Sequence, residues 1–485
     1  MQTIKFGILL LIHLCLTVLC VQAKVISYVD TSLDGSQKYV LRVDGKPFYM
    51  TNIQIRLDKL YGYIGYLDEA LEAAVKRAAD DGFNTVSIPI HWREVEPEKN
   101  VFDWTILDKY LGWCKKYGLK MELLWFSWSS GGRVQWLVTK QSVRTPDYVC
   151  STSGTSEYNV LRSKWEYSLD WRDANLRNRE TYVLGKVMEH VAGWDANNDY
   201  PHTVIGVQLG NEARSHGANT ATDAEIIDYY HEVGSAVKMS KYVVWTRLNC
   251  VTSETAGRIR ANERKREAGG TNIDFVGIDT YGATPAKVMG NHDNQMPDVG
   301  KNYPMIMECG AENSNIAILQ MAALAGNKAF DYYDLASTDG HALYDRDGTA
   351  LIPHGTYIED IRTVNKILNL ANQDIALKAH GNGLYVYNYA GNSTIAETGI
   401  DSIAFIPDIA HSQAITIRHS STEIVFLTTC GGKFRYPSGL GIVSASKGYF
   451  NEENEWMDEE KVDFTGTSIV VPAATAVRVI HLGII

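Results

Sequence analysis

Residues 201–213 read PHTVIGVQLGNEA, and the fold turns on this stretch. Val204, Ile205, Val207 and Leu209 make an apolar run that stops at Gly210, and Asn211 and Glu212 follow at once. A short apolar run bounded by turn residues reads as a buried strand of a parallel sheet. Such sheets carry their chemistry just past the carboxyl ends of the strands, which is where Glu212 falls. Residues 303–313, YPMIMECGAEN, repeat the pattern and place Glu308 at the tip of Met305, Ile306 and Met307.

Working outward, further apolar runs lie at residues 85–92 (TVSIPIHW), 121–128 (MELLWFSW), 242–249 (YVVWTRLN), 274–282 (DFVGIDTYG) and 328–337 (KAFDYYDLAS). Before them, residues 38–55 read as a hairpin around Asp44-Gly45 followed by a longer strand. Helical spacing fills the gaps. Leu67, Ala70, Leu71, Ala74, Val75 and Ala78 form one stripe that Gly82 stops. Residues 107–118, 179–194, 223–239, 317–325 and 358–370 are also expected as helices, with a polar helix between the fifth and sixth strands. Eight strands, near Ile53, Ile88, Leu124, Val207, Val244, Val276, Ile306 and Tyr332, each followed by a helical pattern, predict an α/β fold, a closed (β/α)8 TIM barrel. An open doubly wound sheet would want a phosphate-binding turn. Its nearest approach, Gly381-Asn382-Gly383, lacks a third glycine and lies outside the repeating region.

Past Asn372 the character changes to short alternating or β-branched runs, such as QAITIRH and TEIVFLTTCG. The chain thus divides into a barrel with its N-terminal hairpin over residues 24–372 and a C-terminal all-β domain, a sandwich, over residues 373–485. No Pro- or Ser-rich linker separates them, so the two are expected to pack firmly. Residues 128–178, between the third strand and its helix, have little periodicity but many aromatics, and a loop there overhangs the mouth of a barrel.

The net charge of -11 over 485 residues argues against nucleic acid as a partner. Residues 8–21 are almost wholly apolar and Lys5 precedes them, the layout of a secretory signal with cleavage expected near Ala23. The protein is therefore expected to be exported. Cys20 raises a lipid anchor as a rival, which Leu19 beside it disfavours. No later run approaches the length of a membrane span. Cys114, Cys150, Cys250, Cys309 and Cys430 are an odd, scattered set, read as small buried residues rather than a disulfide framework.

Two carboxylates on facing strand tips are the apparatus of glycosidic bond cleavage: one protonates the leaving oxygen and the other attacks the anomeric carbon. Strands four and seven face each other across a barrel mouth, so Glu212 and Glu308 are the candidate pair. The Asn211 amide is placed to bond a sugar hydroxyl. Glu312, Glu94, Glu96 and Glu122 rank below them by position. Asp279 is expected to be an internal hydrogen-bonding residue rather than a catalyst. Other chemistries find less support. His231-Glu232 lacks the second histidine of a zinc-protease helix, no cysteine pair has ligand spacing, and no Gly-x-Ser-x-Gly elbow is evident. No metal or cofactor is expected.

Trp92, Glu96-Pro97, Phe102-Asp103-Trp104, Leu107-Asp108 and Gly118-Leu119 resemble the second and third strand-helix units of the retaining barrel glycosidases of clan A, closest to the β-galactosidase-like families 35 and 42. The resemblance implies that Glu212, after Asn211, is the acid/base and that Glu308, in Glu308-Cys309-Gly310, is the nucleophile. Cys309 stands where those families carry an aromatic. Tyr281 maps to a tyrosine that bonds the nucleophile. The aromatic platform after strand eight falls on Tyr332 or Tyr333, which parity does not separate. Tyr333 is carried forward with His91, Trp92 and Trp128 as substrate-binding candidates. The expectation is an exported retaining β-glycosidase acting on an oligo- or polysaccharide. An endo-acting β-glycanase, or a glycan-binding barrel without turnover, is the alternative.

Overall fold

The computed structural model describes residues 23–32, 39–57, 68–126, 145–146, 148–149, 160–163, 166–169, 172–212, 222–250, 272–291, 302–336, 340–347, 350–379, 383–437 and 441–482. The apolar leader with Cys20, Trp128, Cys150 and the polar helix expected before strand six lie outside them.

Eight parallel strands close into a barrel: β1 Thr51–Gln54, β2 Thr85–His91, β3 Lys120–Phe126, β4 Val204–Asn211, β5 Trp245–Cys250, β6 Phe275–Asp279, β7 Met305–Gly310 and β8 Ala329–Tyr333. Each neighbours the next in chain order, and β8 pairs β1 through Phe330 with Thr51 and Tyr332 with Ile53. Almost every residue of these strands is buried, which is why they read as apolar runs rather than as alternations.

The helices form where the apolar spacing predicts them. They are α1 Asp68–Asp80, α2 Thr105–Lys116, α3 Ala174–Ala196, α4 Asp223–Lys238, α5 Ile316–Ala325 and α6 Ile358–Leu370. Helix α1 buries Ala70, Leu71, Ala74, Val75 and Ala78, and ends just before Gly82, whose φ of +78° suits a residue without a Cβ. Helix α4 starts with a reciprocal cap between Thr222 and Glu225. Helix α3 begins five residues earlier than its apolar stripe because Asp173 accepts hydrogen bonds from the Asn175 and Leu176 amides. Among the described residues no helix is long and apolar enough to cross a membrane.

The N-terminal end of the barrel is plugged. Val40–Val43 turns back at Asp44-Gly45 onto Lys46–Pro47, the expected hairpin, and also pairs with Ser27–Asp30. Leu41 and Val43 of this small sheet pack with Ile205, Trp245, Phe275, Met305 and Met307 from the barrel interior.

Past the barrel, a six-stranded and a five-stranded antiparallel sheet face one another over Tyr387, Phe405, Phe426, Phe434, Ile469 and Val477. Alternation sends Ile415, Ile417, Val425 and Leu427 of the six-stranded sheet the other way, into one cluster with Ile361, Val364 and Leu368 of α6. The strands Ala414–Arg418 and Glu423–Thr428 of that sheet are buried on both faces, so the sandwich is packed against the barrel. The joint is also polar. His419 meets Asp374 at 2.6 Å, and the Asn372 side chain clasps both backbone groups of Tyr49, just ahead of β1, at 3.0 and 2.7 Å.

Candidate active site

The barrel interior is filled in tiers. Trp245 crosses the lower tier beside Gly206, where a Cβ would stand 2.1 Å from the indole nitrogen. Above it Arg247, wholly buried, pairs with Glu122 (Nε at 3.0 and 3.1 Å, Nη2 at 2.8 Å) and lies 3.5 Å from Asp331. Glu122 also accepts from the Trp245 indole and the Ser87 hydroxyl. The remaining arm of Arg247 donates to Asn249 Oδ1 at 2.5 Å. This fixes the Asn249 amide, so its NH2 is turned upward toward the mouth.

At the mouth, the two strands that carry the glutamates share an irregularity. Along β4 the pairing with β5 skips Leu209, and along β7 the pairings with β6 and β8 pass from Ile306 to Glu308 and to Cys309. An extra residue in one strand re-aims the side chain that follows it. Met305 and Met307 belong to the barrel's inner cluster and Ile306 and Cys309 to the outer one, yet Glu308, next to Met307, also turns inward. Past β4 the chain bends through Glu212 at φ +44°, its amide held by the Asn249 carbonyl at 3.1 Å. Gly210, two residues before Glu212, lets α4 come close, because a Cβ there would sit 2.3 Å from the Tyr230 ring.

The outcome is three carboxyl groups, of Glu212, Asp279 and Glu308, each offering an oxygen within 4.8 Å of the others. Glu308 accepts from Gln54 Nε2 at 3.2 Å, Asn249 Nδ2 at 3.3 Å and the Tyr281 hydroxyl at 2.5 Å. Burial, then the Glu212 charge, push its carboxyl above the usual carboxylate range. The Tyr281 and Gln54 bonds and the Arg56 guanidinium pull it back down. Asp279 is raised well above the ordinary carboxylate value by burial first, and by the charges of Glu308 and Glu212 after that. So tight a cluster favours keeping a proton, since like charges at this separation oppose one another's ionisation.

Around the acids stands a chain of rings and cations. Arg56, two residues past the end of β1, donates to the Tyr333 hydroxyl at 3.1 Å and lies 5.0 Å over the Phe126 ring. Phe126 stacks on His91 at 5.7 Å, and Tyr333 meets Tyr281 edge-on at 6.0 Å. His341 sits 5.0 Å from the Tyr281 ring and pairs with Glu312 on the rim.

Of the sequence candidates, the structure therefore gathers Glu212, Glu308, Tyr281, Tyr333 and His91 at the mouth, and Asn211 ends β4 with its amide oxygen on Gln208. Trp92 is a correction. It is fully buried and donates to Glu96 at 2.9 Å, because β2 ends at His91 and a short helix, Trp92–Val95, rotates the indole into the core. Tyr332 faces outward and bonds Gln320 at 2.5 Å, which leaves Tyr333 at the mouth. Trp128 lies outside the described residues, as does most of the aromatic insertion. The described part of that insertion includes a hairpin, Val160–Ser163 with Glu166–Leu169. Asp279 bonds within the barrel as expected, through Asn249 at 3.1 Å, and its carboxyl also stands within 4.8 Å of both glutamates. Gln54, Arg56, Asn249 and His341 went unnoticed, although Gln54 and Asn249 obey the same strand-end rule that marked Glu212. Of the lower-ranked acids, Glu122 and Glu96 are buried in structural pairs with Arg247 and Arg179. Of the described cysteines, Cys114, Cys250 and Cys309 are buried.

Residues 225–370 match the model of a domain of unknown function, DUF4978, which spans less than half the chain and includes Asp279, Tyr281 and Glu308 but not Glu212. No match emerges among curated protein sequences. Among solved structures, the chain is similar to the exo-β-1,4-mannosidase Op5Man5 from Opitutaceae bacterium strain TAV5, at 14% identity and a TM-score of 0.49. That match covers 69% of this chain and 63% of the mannosidase, so the chain spans less than two thirds of that protein. A GH30 endoxylanase from Clostridium papyrosolvens C71 aligns at 9% identity and a TM-score of 0.49, over 90% of this chain and 96% of its own. Endo-glycoceramidase II from Rhodococcus sp. aligns at 15% identity and a TM-score of 0.47, over 94% and 99%. Likeness at this level says nothing of what this chain acts on.

Proposed function

We propose that the chain is a retaining glycoside hydrolase that cleaves a β-glycosidic bond by double displacement. The observation that carries this reading is the mouth itself: Glu212, just past β4, and Glu308, on β7, bring carboxylate oxygens within 4.8 Å of one another. Retaining enzymes hold their two carboxyl groups about 5–5.5 Å apart, and inverting ones leave about 6.5–9.5 Å for a water. Three neutral donors hold both oxygens of Glu308, which orients it for attack on an anomeric carbon. In the first step a Glu308 oxygen bonds to that carbon while Glu212 gives its proton to the departing glycosidic oxygen. In the second, Glu212 takes a proton from water, and the hydroxide formed displaces Glu308. Asn211 and Tyr333 are the substrate-binding residues, with His91 beside them.

The finer reading is an exported, β-galactosidase-like enzyme whose leader is removed near Ala23, with an endo-acting β-glycanase as the rival specificity. Turnover of a panel of aryl α- and β-glycosides separates these, and a panel wholly inert in the folded protein sinks the hydrolase reading. Glu308→Gln is expected to abolish turnover with the fold intact. Azide rescue of Glu308→Gly with an α-glycosyl azide as product supports retention, and a β-glycosyl azide refutes it.

A further inference from the structure

Asp279 has no part in the two-glutamate scheme, yet it is the most enclosed member of the cluster, 5% exposed on the inner side of β6. Its Oδ1 accepts from Asn249 Nδ2 at 3.1 Å. Its Oδ2 is buried and receives no donor from any described residue, although it looks into a site where Glu212 and Glu308 both lie within 4.8 Å. The donors near it are committed elsewhere: Tyr281 and Gln54 to Glu308, Arg56 to Tyr333, Arg247 to Glu122 and Asn249. Two carboxyl groups in contact bond one another only when one of them carries a proton.

We infer that Asp279 is a positioning residue that shares one proton with Glu212, so that the pair, rather than Glu212 alone, is the acid/base of the reaction. The inference rests on the hydrolase reading for its catalytic meaning, though not for the proton itself. Among the described residues, the charged or titratable groups that face the pair are Glu308 from β7, Arg247 from β5, Arg56 from beyond β1, Tyr281 after β6, and Asp331 and Tyr333 from β8. While Glu308 is an anion, its charge favours the protonated pair. As Glu308 bonds to the sugar the pair passes that proton to the departing oxygen; the Glu308 charge is then gone, so the unprotonated pair is tolerated and Glu212 is free to accept a proton from water. Asp279 holds the proton against the strand-end carboxyl in the meantime, and Asn249, oriented by Arg247, keeps Asp279 facing it. No atom is gained or lost by the pair over a full cycle, because the proton delivered to the leaving group is recovered from water.

Asp279→Asn keeps the shape and offers Glu212 a permanent N–H donor in place of the shared proton. The alkaline limb of kcat/KM is then expected to move to lower pH by about one unit or more, a tenfold loss at a pH above both limbs. Glycosides with poor leaving groups are expected to slow at least tenfold, while a dinitrophenyl glycoside, which needs no protonation, keeps its glycosylation rate. A purely structural role would lower every rate together and leave the pH limbs in place. That pattern overturns the inference while leaving the two-glutamate reading standing. Infrared difference spectra at neutral pH read the proton without any substrate. Wild type minus Asp279→Asn is expected to show a protonated-carboxyl C=O band, and Glu212→Gln, whose amide donates to Asp279, is expected to lose the same band. Absence of that band from both differences overturns the inference even if no glycoside is ever turned over.

Discussion

Arg247 links the barrel's stability to the orientation of its mouth, and the two roles separate by mutation. Arg247→Met leaves Glu122, wholly buried, without its ion partner. Breaking a buried pair on one side costs about 3–5 kcal/mol, because the surviving charge is stranded. Glu122 retains the Trp245 indole at 2.7 Å and the Ser87 hydroxyl at 3.1 Å, so the lower end, about 3 kcal/mol, is expected. Adding Glu122→Gln removes the stranded charge while keeping an acceptor for Trp245. The double variant should therefore recover most of that loss. It does not recover the 2.5 Å bond from Arg247 to Asn249, so the Asn249 amide can turn over and Glu308 loses a donor. That is a further penalty of about 1 kcal/mol on the site, roughly fivefold in rate. Urea unfolding followed by tryptophan fluorescence, together with aryl-glycoside turnover, reads both effects. A single variant less than about 1 kcal/mol below wild type, or a double variant no more stable than the single, would refute the reasoning.

Tyr281→Phe removes the hydroxyl that donates to Glu308 at 2.5 Å and helps hold its carboxyl down. Glu308 must be charged to attack, so the acid limb of kcat/KM should move to higher pH, with a loss of about 1.5 kcal/mol, roughly tenfold. An unmoved acid limb counts against Glu308 as nucleophile. Three carboxyl groups within 4.8 Å would also suit a divalent cation. With both Glu308 oxygens accepting from neutral donors, dialysis against EDTA is expected to leave turnover unchanged, and loss restored by added Ca²⁺ or Mg²⁺ would reassign the site. The His419 imidazole is raised from 6.5 chiefly by its hydrogen bond to Asp374 at the joint between barrel and sandwich. A raised folded value stabilises fully below the unfolded value, and the gain is lost as pH rises through the folded one. Thermal unfolding should accordingly show stability falling above about pH 6.5, with that slope flattened in His419→Gln. An identical slope in the variant removes the pair from the joint's energetics.

Much of this was legible in the amino-acid order because barrel strands are buried on both faces and end abruptly in turn residues. The run from Val204 to Leu209 and the run from Met305 to Met307 could hardly be anything else, and the acids at their tips followed. Parity was not legible. The extra residue near Leu209 and again near Met307 breaks the alternation just where the side chains matter, and no composition signal marks a bulge. The same blindness made Trp92 look like a mouth residue, since the switch from strand to helix after His91 depends on tertiary packing. Asp279 was undervalued because one aspartate on a strand carries no sign of what the other strands bring beside it. Lys24–Val25 and Ser27–Asp30 escaped notice as strands because they are short and one of their partners, Tyr242–Val243, lies far along the chain.

The Asn372 clasp on Tyr49 has a consequence for how the molecule is made. The seam between β8 and β1 joins the two ends of the barrel sequence, and the clasp that locks it hangs from the start of the segment leading into the sandwich. A chain emerging from the ribosome exposes β1 early and supplies both its second neighbour and its lock only at the end. The cylinder therefore stays an unsealed ribbon through most of synthesis, and nascent chains halted before residue 372 should bind chaperones and resist folding, whereas chains that extend through the sandwich should not.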